Sequence, residues 1–140
     1  KSIGVSNFTV RHLDELLADC QRVPAVNHVE FHPYLYQKEL LAYCRAHDIQ
    51  LTAYSPLARG ARMDDPNPRA IGARHGKSTA QVLIRWGMQH EVVVIPKSTS
   101  ATRIRENMGV FDFHLDGNEM ATLDGLDENL RTCLDPTDAP

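Results

Sequence analysis

The chain has 140 residues, 42% hydrophobic and 24% charged, with a formal net charge of −3 at pH 7. That composition suits one globular core and leaves no basic footprint for nucleic acid. No apolar run approaches the ~20 residues of a membrane span, and no signal peptide is visible.

Three widely spaced cysteines, Cys20, Cys44 and Cys133, indicate neither a disulfide framework nor a CxxC metal site, so a reducing cytosol is the expected compartment. Cys20 and Cys44 fall in helical patterns and read as small buried hydrophobes. The sequence opens at Lys1 and enters a strand almost at once, so its beginning reads as cut, whereas LDPTDAP at the far end reads as a terminus.

In chain order, Ser2–Asn7 reads as a short buried strand ending in two small polar residues. Thr9 caps a helix whose Leu13, Leu16 and Leu17 form a core face, and Pro24 closes that segment. Ala25–Phe31 is a second strand, ended by His32-Pro33. Gln37–His47 is a second helix with Leu40, Leu41, Tyr43 and Cys44 on its apolar side. Ile49–Ser55 is a third strand, broken by Pro56. Arg59–Asn67, with Gly60, Asp64, Asp65 and Pro66, reads as a loop. The pattern predicts a helix over Pro68–His75 with Gly76 as its C-cap, then another from Ser78 through Gln89 with Val82, Leu83 and Trp86 inward.

The stretch Val92–Asn107 organises the rest. Val92-Val93-Val94-Ile95 suits a strand buried on both faces, and Pro96 stops its ladder. Lys97, Ser98, Thr99 and Ser100 follow at the strand end. Ser100 or Thr99 caps the next helix, whose first turns carry Arg103, Arg105, Glu106 and Asn107. A strand end, a cation, hydroxyls and a helix N-terminus together suit a phosphate, with Lys as a point charge and Arg as a fork. The alternative is an ordinary capped helix with solvated arginines. Asp116 then opens a helix over Gly117–Leu126, and Asp127–Pro140 has little periodicity.

Strand–helix alternation at roughly 25–45 residues per unit means parallel strands with right-handed crossovers. Four such units are about half of an eight-unit barrel of about 250 residues. A doubly wound open sheet is the other option, but its Gly-rich turn after the first strand is absent. Each strand instead ends in its own polar set: Ser6-Asn7, His28-Glu30-His32, Tyr54-Ser55 and Lys97-Ser98.

His28, Glu30 and His32 share one face of their strand and invite a zinc reading. Three ligands in one short strand are cramped, and no further His or Asp stands at another strand end, so no metal is expected. His32-Pro33 is expected to order its loop through the imidazole. Tyr54 is either a stacking platform for a flat heteroaromatic ligand or a core tyrosine with its hydroxyl at the rim.

Four linked stretches resemble the aldo-keto reductases: GVSNF (Gly4–Phe8), VNHVEFHP (Val26–Pro33), AYSPL (Ala53–Leu57), and IPKST followed by RIREN (Ile95–Thr99, Arg103–Asn107). They stand in the family's order and approximate spacing, across essentially all 140 residues. The resemblance implies a (β/α)8 TIM barrel, α/β in class, of which residues 1–140 form the C-terminal half. It implies NADPH (NADP+) as cofactor and a small aldehyde or ketone as substrate.

By the same resemblance, Ser6 and Asn7 hold the nicotinamide carboxamide and Tyr54 stacks on its ring. Ser55 and Leu57 line the pyrophosphate path. Lys97, Ser98 and Arg103 grip the 2′-phosphate with Thr99 beside them, and Glu106 and Asn107 lie near the adenine. His28 stands where the family usually places Gln. The family's Asp, Tyr, Lys and His acid–base group belongs to the preceding half of the barrel, so no catalytic residue is expected here. The implied partner is that missing half-barrel or a second copy. A non-catalytic nucleotide-binding or self-associating half-barrel is the alternative.

Overall fold

Four short strands lie parallel in the order β1-β2-β3-β4 in a computed structural model that describes residues 1–139. They are Gly4–Ser6 (β1), Val26–Glu30 (β2), Gln50–Tyr54 (β3) and Val93–Val94 (β4). The register runs Ser6 to His28, His28 to Thr52 and Thr52 to Val93. Parallel strands need a crossover, and each is supplied by helix: Val10–Asp19 (α1), Lys38–Ala46 (α2), and the pair Pro66–His75 (α3) and Thr79–Gln89 (α4). Ala101–Met108 (α5) and Gly117–Asp124 (α6) follow β4.

The helices cover one face of the sheet. Val29, Leu51 and Ala53 pack there against Leu13, Leu40, Leu41, Cys44, Val82 and Trp86, all 5% exposed or less. On the other face, Val26, His28, Thr52 and Tyr54 are half-buried. The helix starts follow hydrogen-bonding chemistry. Thr9, Ser78 and Asp116 each close a reciprocal capping box, and Gly76 ends α3 at φ 64°, a left-handed turn that glycine takes without a Cβ penalty.

Several sequence expectations are corrected. β4 is not buried on both faces: Val92 is 3% exposed, but Val93 is 49% and Ile95 46%, because these two lie on the side of the sheet that no helix covers, in line with Thr52. Helix α3 starts at Pro66, not Pro68, because Asp65 accepts from the Asn67 N–H at 2.8 Å and Pro66 has no N–H to lose. Cys20 is the half-buried C-cap of α1, whereas Cys44 is buried as expected.

The charged group that ties α3 to α6 is Glu119, only 4% exposed. It accepts from Arg74 Nη2 and His75 Nε2, both at 2.8 Å, and from the Asp116 N–H at 3.0 Å. Burial pushes this carboxyl up, but Arg74, His75 and the Asp116 amide outweigh it, lowering the pKa from 4.5 to about 2. A depressed carboxylate stabilises the fold above its unfolded pKa, and that stability is lost as pH falls toward the folded value.

Glu119→Gln is therefore expected to cost about 1.5–3 kcal/mol at pH 7 in urea unfolding, the range for hydrogen bonds to charged groups. The gap between wild type and variant should narrow as pH drops from 4.5 toward about 2. A gap that stays constant over that window would refute the assignment.

Candidate functional site

The C-terminal ends of the four strands meet along one rim, which holds two clusters of the expected residues. The first forms around Tyr54. Its hydroxyl donates to Asn7 Oδ1 at 2.8 Å, and its ring meets His28 edge-on at 5.0 Å between centroids. Ser6 Oγ donates to the His28 carbonyl at 2.9 Å. Burial, then the neighbouring Cys133 and Glu30, push the Tyr54 phenol upward, so it stays a neutral donor. Asn7 sits at φ 60°, a left-handed position that asparagine tolerates better than most residues.

The second cluster is a groove of about 830 Å³, within the size range of small-molecule sites. Seven expected residues line it: Ser55 and Leu57 after β3, Lys97 and Ser98 after β4, and Arg103, Glu106 and Asn107 on α5. Its charged lining is Arg59, Lys97 and Arg103 against Glu106, so the groove favours an anion. The start of α5 is ordered by two serines: Ser98 Oγ accepts from the Ser100 N–H at 3.1 Å, and Ser100 Oγ from the Arg103 N–H at 3.4 Å. Ser100 is thus the cap, and Thr99 stands exposed beside it, outside the groove lining.

Other lining residues escaped the sequence reading. Ser78, Thr79 and Ala80 bring the N-terminus of α4 to the groove. The Ser78 capping box signalled a helix start, but nothing local said where it would point. Arg59 and Gly60 also line the groove. Between β3 and α3, Ser55, Ala58 and Arg59 have φ of 48°, 46° and 51°, an unusual run of left-handed non-glycine residues.

Glu30 departs most from expectation. It is 1% exposed and anchors the C-terminal tail across the rim. Its Oε1 accepts from the Thr132 N–H at 2.9 Å and from the Thr132 hydroxyl, and its Oε2 from the Cys133 N–H at 3.1 Å. Burial raises this carboxyl, yet Thr132, His32 and Cys133 together leave it lowered. His32 is pushed down, chiefly by burial, so its neutral Nε2–H donates to Glu30 Oε1 at 3.3 Å.

The imidazole therefore braces Glu30 rather than the loop. That turn is ordered by the Leu35 N–H on His32 O at 2.9 Å and by Gln37 Nε2 on Glu30 O at 2.7 Å. No group of three His, Cys, Asp or Glu is placed to hold a metal ion among the described residues. The tail in turn meets the groove loop: Arg59 Nη1 donates to Thr132 O at 3.2 Å, and Ser55 Oγ lies 3.5 Å from Cys133 Sγ.

Comparison with known proteins gives a consistent picture. The aldo/keto reductase family matches residues 1–128. The chain is 48% identical over 136 residues to the uncharacterized oxidoreductase YtbE of Bacillus subtilis (strain 168), covering 97% of this chain and 49% of that protein. It is 49% identical to the glyoxal reductase of the same organism, with the same coverage. Among solved structures, MGS-M4, an aldo-keto reductase enzyme from a Medee basin deep-sea metagenome library, superposes with a TM-score of 0.94 at 36% identity. That match covers 99% of this chain and 52% of the other. An aldo-keto reductase, AKR2E5, complexed with NADPH gives 0.88 at 37% identity, covering 95% and 44%. The chain thus spans about half the length of the relatives it matches. No helix is long and apolar enough to cross a membrane among the described residues.

If Glu30 anchors the tail, Glu30→Gln should speed hydrogen exchange of the Thr132 and Cys133 amides at pH 7. The expected factor is about ten to a hundred, the equivalent of one lost charge-assisted interaction. Because the folded carboxyl is lowered from 4.5, the wild-type amides should lose protection as pH falls below that value. Unchanged exchange at both amides would rule the anchor out.

Proposed function

Because the chain belongs to the aldo/keto reductase family, we propose that it forms the NADP(H)-binding side of a (β/α)8 barrel that reduces aldehydes or ketones to alcohols. The observation that carries this reading is the groove that joins Lys97, Ser98 and Arg103 with Ser55, Leu57, Glu106 and Asn107. Three cations against one carboxylate, with the N-terminus of α4 beside them, fit the phosphates of a nucleotide. When bound, NADPH supplies the hydride that reaches the carbonyl carbon.

The chain's own residues do the holding. Lys97 offers a point charge and Arg103 a planar fork to the 2′-phosphate, beside the capped start of α5. Ser55, Leu57 and the start of α4 line the path for the pyrophosphate. Glu106 and Asn107 take the adenine side. Ser6, Asn7 and His28 serve the carboxamide, while the Tyr54 ring, held by its hydroxyl on Asn7, offers a flat apolar surface. His28 offers one donor and one acceptor where an amide would offer both in one plane, which leaves the carboxamide less fully matched.

No acid–base role is assigned to this chain. Tyr34 is buried, Tyr36 packs on Trp86 and His90, and Tyr43 donates to Asp14 on α1. The reading places the proton donor on further strands of the same barrel. Those strands would pair along β1 and β4, where Ile3, Val93 and Ile95 are 46–49% exposed. The relatives' names, an oxidoreductase and a glyoxal reductase, support a small carbonyl substrate. Three free thiols suit a reducing cytosol.

In the complete barrel, Arg103→Ala is expected to weaken NADPH binding by about 1.5–3 kcal/mol and leave NADH nearly unchanged, because only NADPH carries the 2′-phosphate. Fluorescence titration with both cofactors reads this directly. Equal losses for the two would sink the assignment. His28→Gln should be tolerated in the same titration. Residues 1–140 expressed alone should self-associate or precipitate and show no NADPH-dependent carbonyl reduction. A monodisperse monomer in light scattering, with measurable turnover, would overturn the placement of the proton donor.

A further inference from the structure

Helix α5 carries Arg103, Glu106 and Asn107 of the groove wall, yet apolar packing does little to hold it. Asn107 is buried, but Ile104 is 50% and Met108 66% exposed. What secures its C-terminal end is a set of bonds to the carbonyls from Glu106 to Val110, of which Glu106 O also accepts from the Gly109 N–H at 2.9 Å.

Gln81 Nε2 donates to Glu106 O and to Gly109 O, both at 2.9 Å. Lys77 Nζ reaches Gly109 O at 3.1 Å, and Arg85 Nη1 reaches Val110 O at 3.1 Å. Among these three donors, Gln81 is the one that bonds a carbonyl of α5 itself. Lys77 shares its ammonium with Asp112 at 2.6 and 2.8 Å, and Arg85 binds beyond the helix end.

The other end of the same amide is equally committed. Gln81 Oε1 accepts from the Ser78 N–H at 3.0 Å in the capping box that opens α4. Ser78 lines the groove. One planar side chain, 8% exposed, therefore joins the start of α4 to the end of α5, two helices that both contribute residues to the groove lining. Gly109 is shaped to this contact: a Cβ there would come within 2.9 Å of Gln81 Nε2. Gln81 itself lies outside the groove lining.

We propose that Gln81 is a positioning residue for cofactor discrimination: by holding the carbonyl end of α5 against α4, it sets where Arg103 stands for the 2′-phosphate. The proposal rests on the reading of the groove as the NADP(H) site. Because Gln81 acts through Arg103, its loss should be felt by NADPH and not by NADH, and should vanish once Arg103 is gone.

The test is a double-mutant cycle in the complete barrel, read by fluorescence titration with NADPH and NADH. Gln81→Met keeps the volume and removes the amide. It should weaken NADPH about five- to twentyfold, the scale of one or two buried hydrogen bonds, and NADH less than about twofold. In an Arg103→Ala background it should add less than about twofold to either, and at saturating NADPH kcat should be unchanged while KM for NADPH rises.

Gly109→Ala, which presses on Nε2 without touching the amide's chemistry, should give a milder selective loss and covers the case in which Gln81→Met does not fold. Equal losses for the two cofactors, or full additivity with Arg103→Ala, would overturn the inference. A selective Arg103→Ala loss with Gln81→Met silent overturns it alone. Wild-type protein that binds NADPH and NADH equally overturns the groove reading and this inference with it.

Discussion

Parallel pairing is the constraint on which the rest depends. Four strands that run the same way, registered Ser6 to His28 to Thr52 to Val93, must each be reached by a crossover, and each crossover lays helix on the same face. The core therefore forms on one side, between Val29, Leu51, Ala53 and the helix residues Leu13, Leu40, Val82 and Trp86. The same constraint sends every strand's C-terminal end to one rim. Polar residues that are far apart in the chain, such as Asn7 and Tyr54, meet there at hydrogen-bond distance. The chemistry of the rim is a by-product of direction before it is a matter of composition.

A buried carboxylate completes the rim. Glu30 leaves water at a cost, which it recovers through amides and a hydroxyl from Thr132 and Cys133. The arrangement converts a tail without periodic pattern into a defined strap. Through Thr132 the strap reaches Arg59, and through Cys133 it comes near Ser55, both on the loop that borders the groove. That loop holds three non-glycine residues at positive φ, a backbone state that persists when its surroundings over-determine it. The tail contacts are part of those surroundings.

The groove is built differently from the core. Its walls are loop ends and helix ends, whose free amides and carbonyls must find partners. Ser78, Ser98 and Ser100 satisfy amides at two helix starts, while Gln81, Lys77 and Arg85 gather carbonyls at the end of α5. Such a site is placed by directional bonds with modest individual strength, so single substitutions can move it without unfolding the chain. Glu119, by contrast, ties α3 to α6 and lies outside the groove lining.

Residue patterning determined the alternation of strands and helices, the caps at Thr9, Ser78 and Asp116, the left-handed stop at Gly76, and the kinds of residue that end each strand. These are short-range matters: spacing of apolar residues, a side-chain oxygen near free amides, the absence of a Cβ. The four motifs of the rim were legible for the same reason, since each lies within a few residues of a strand end. What lay beyond reach was long-range. Nothing near Val93 and Ile95 says that their side of the sheet is left without a covering layer, so they read as buried and are not. The role of Glu30 as the anchor of the tail went unread because its partners, Thr132 and Cys133, stand about a hundred residues away and donate backbone amides that no side-chain pattern records. The facing of α4 toward α5 through Gln81 is a fact of packing, and only the tertiary structure could decide it, because a hydrogen bond between elements depends on where both have been carried by the sheet beneath them.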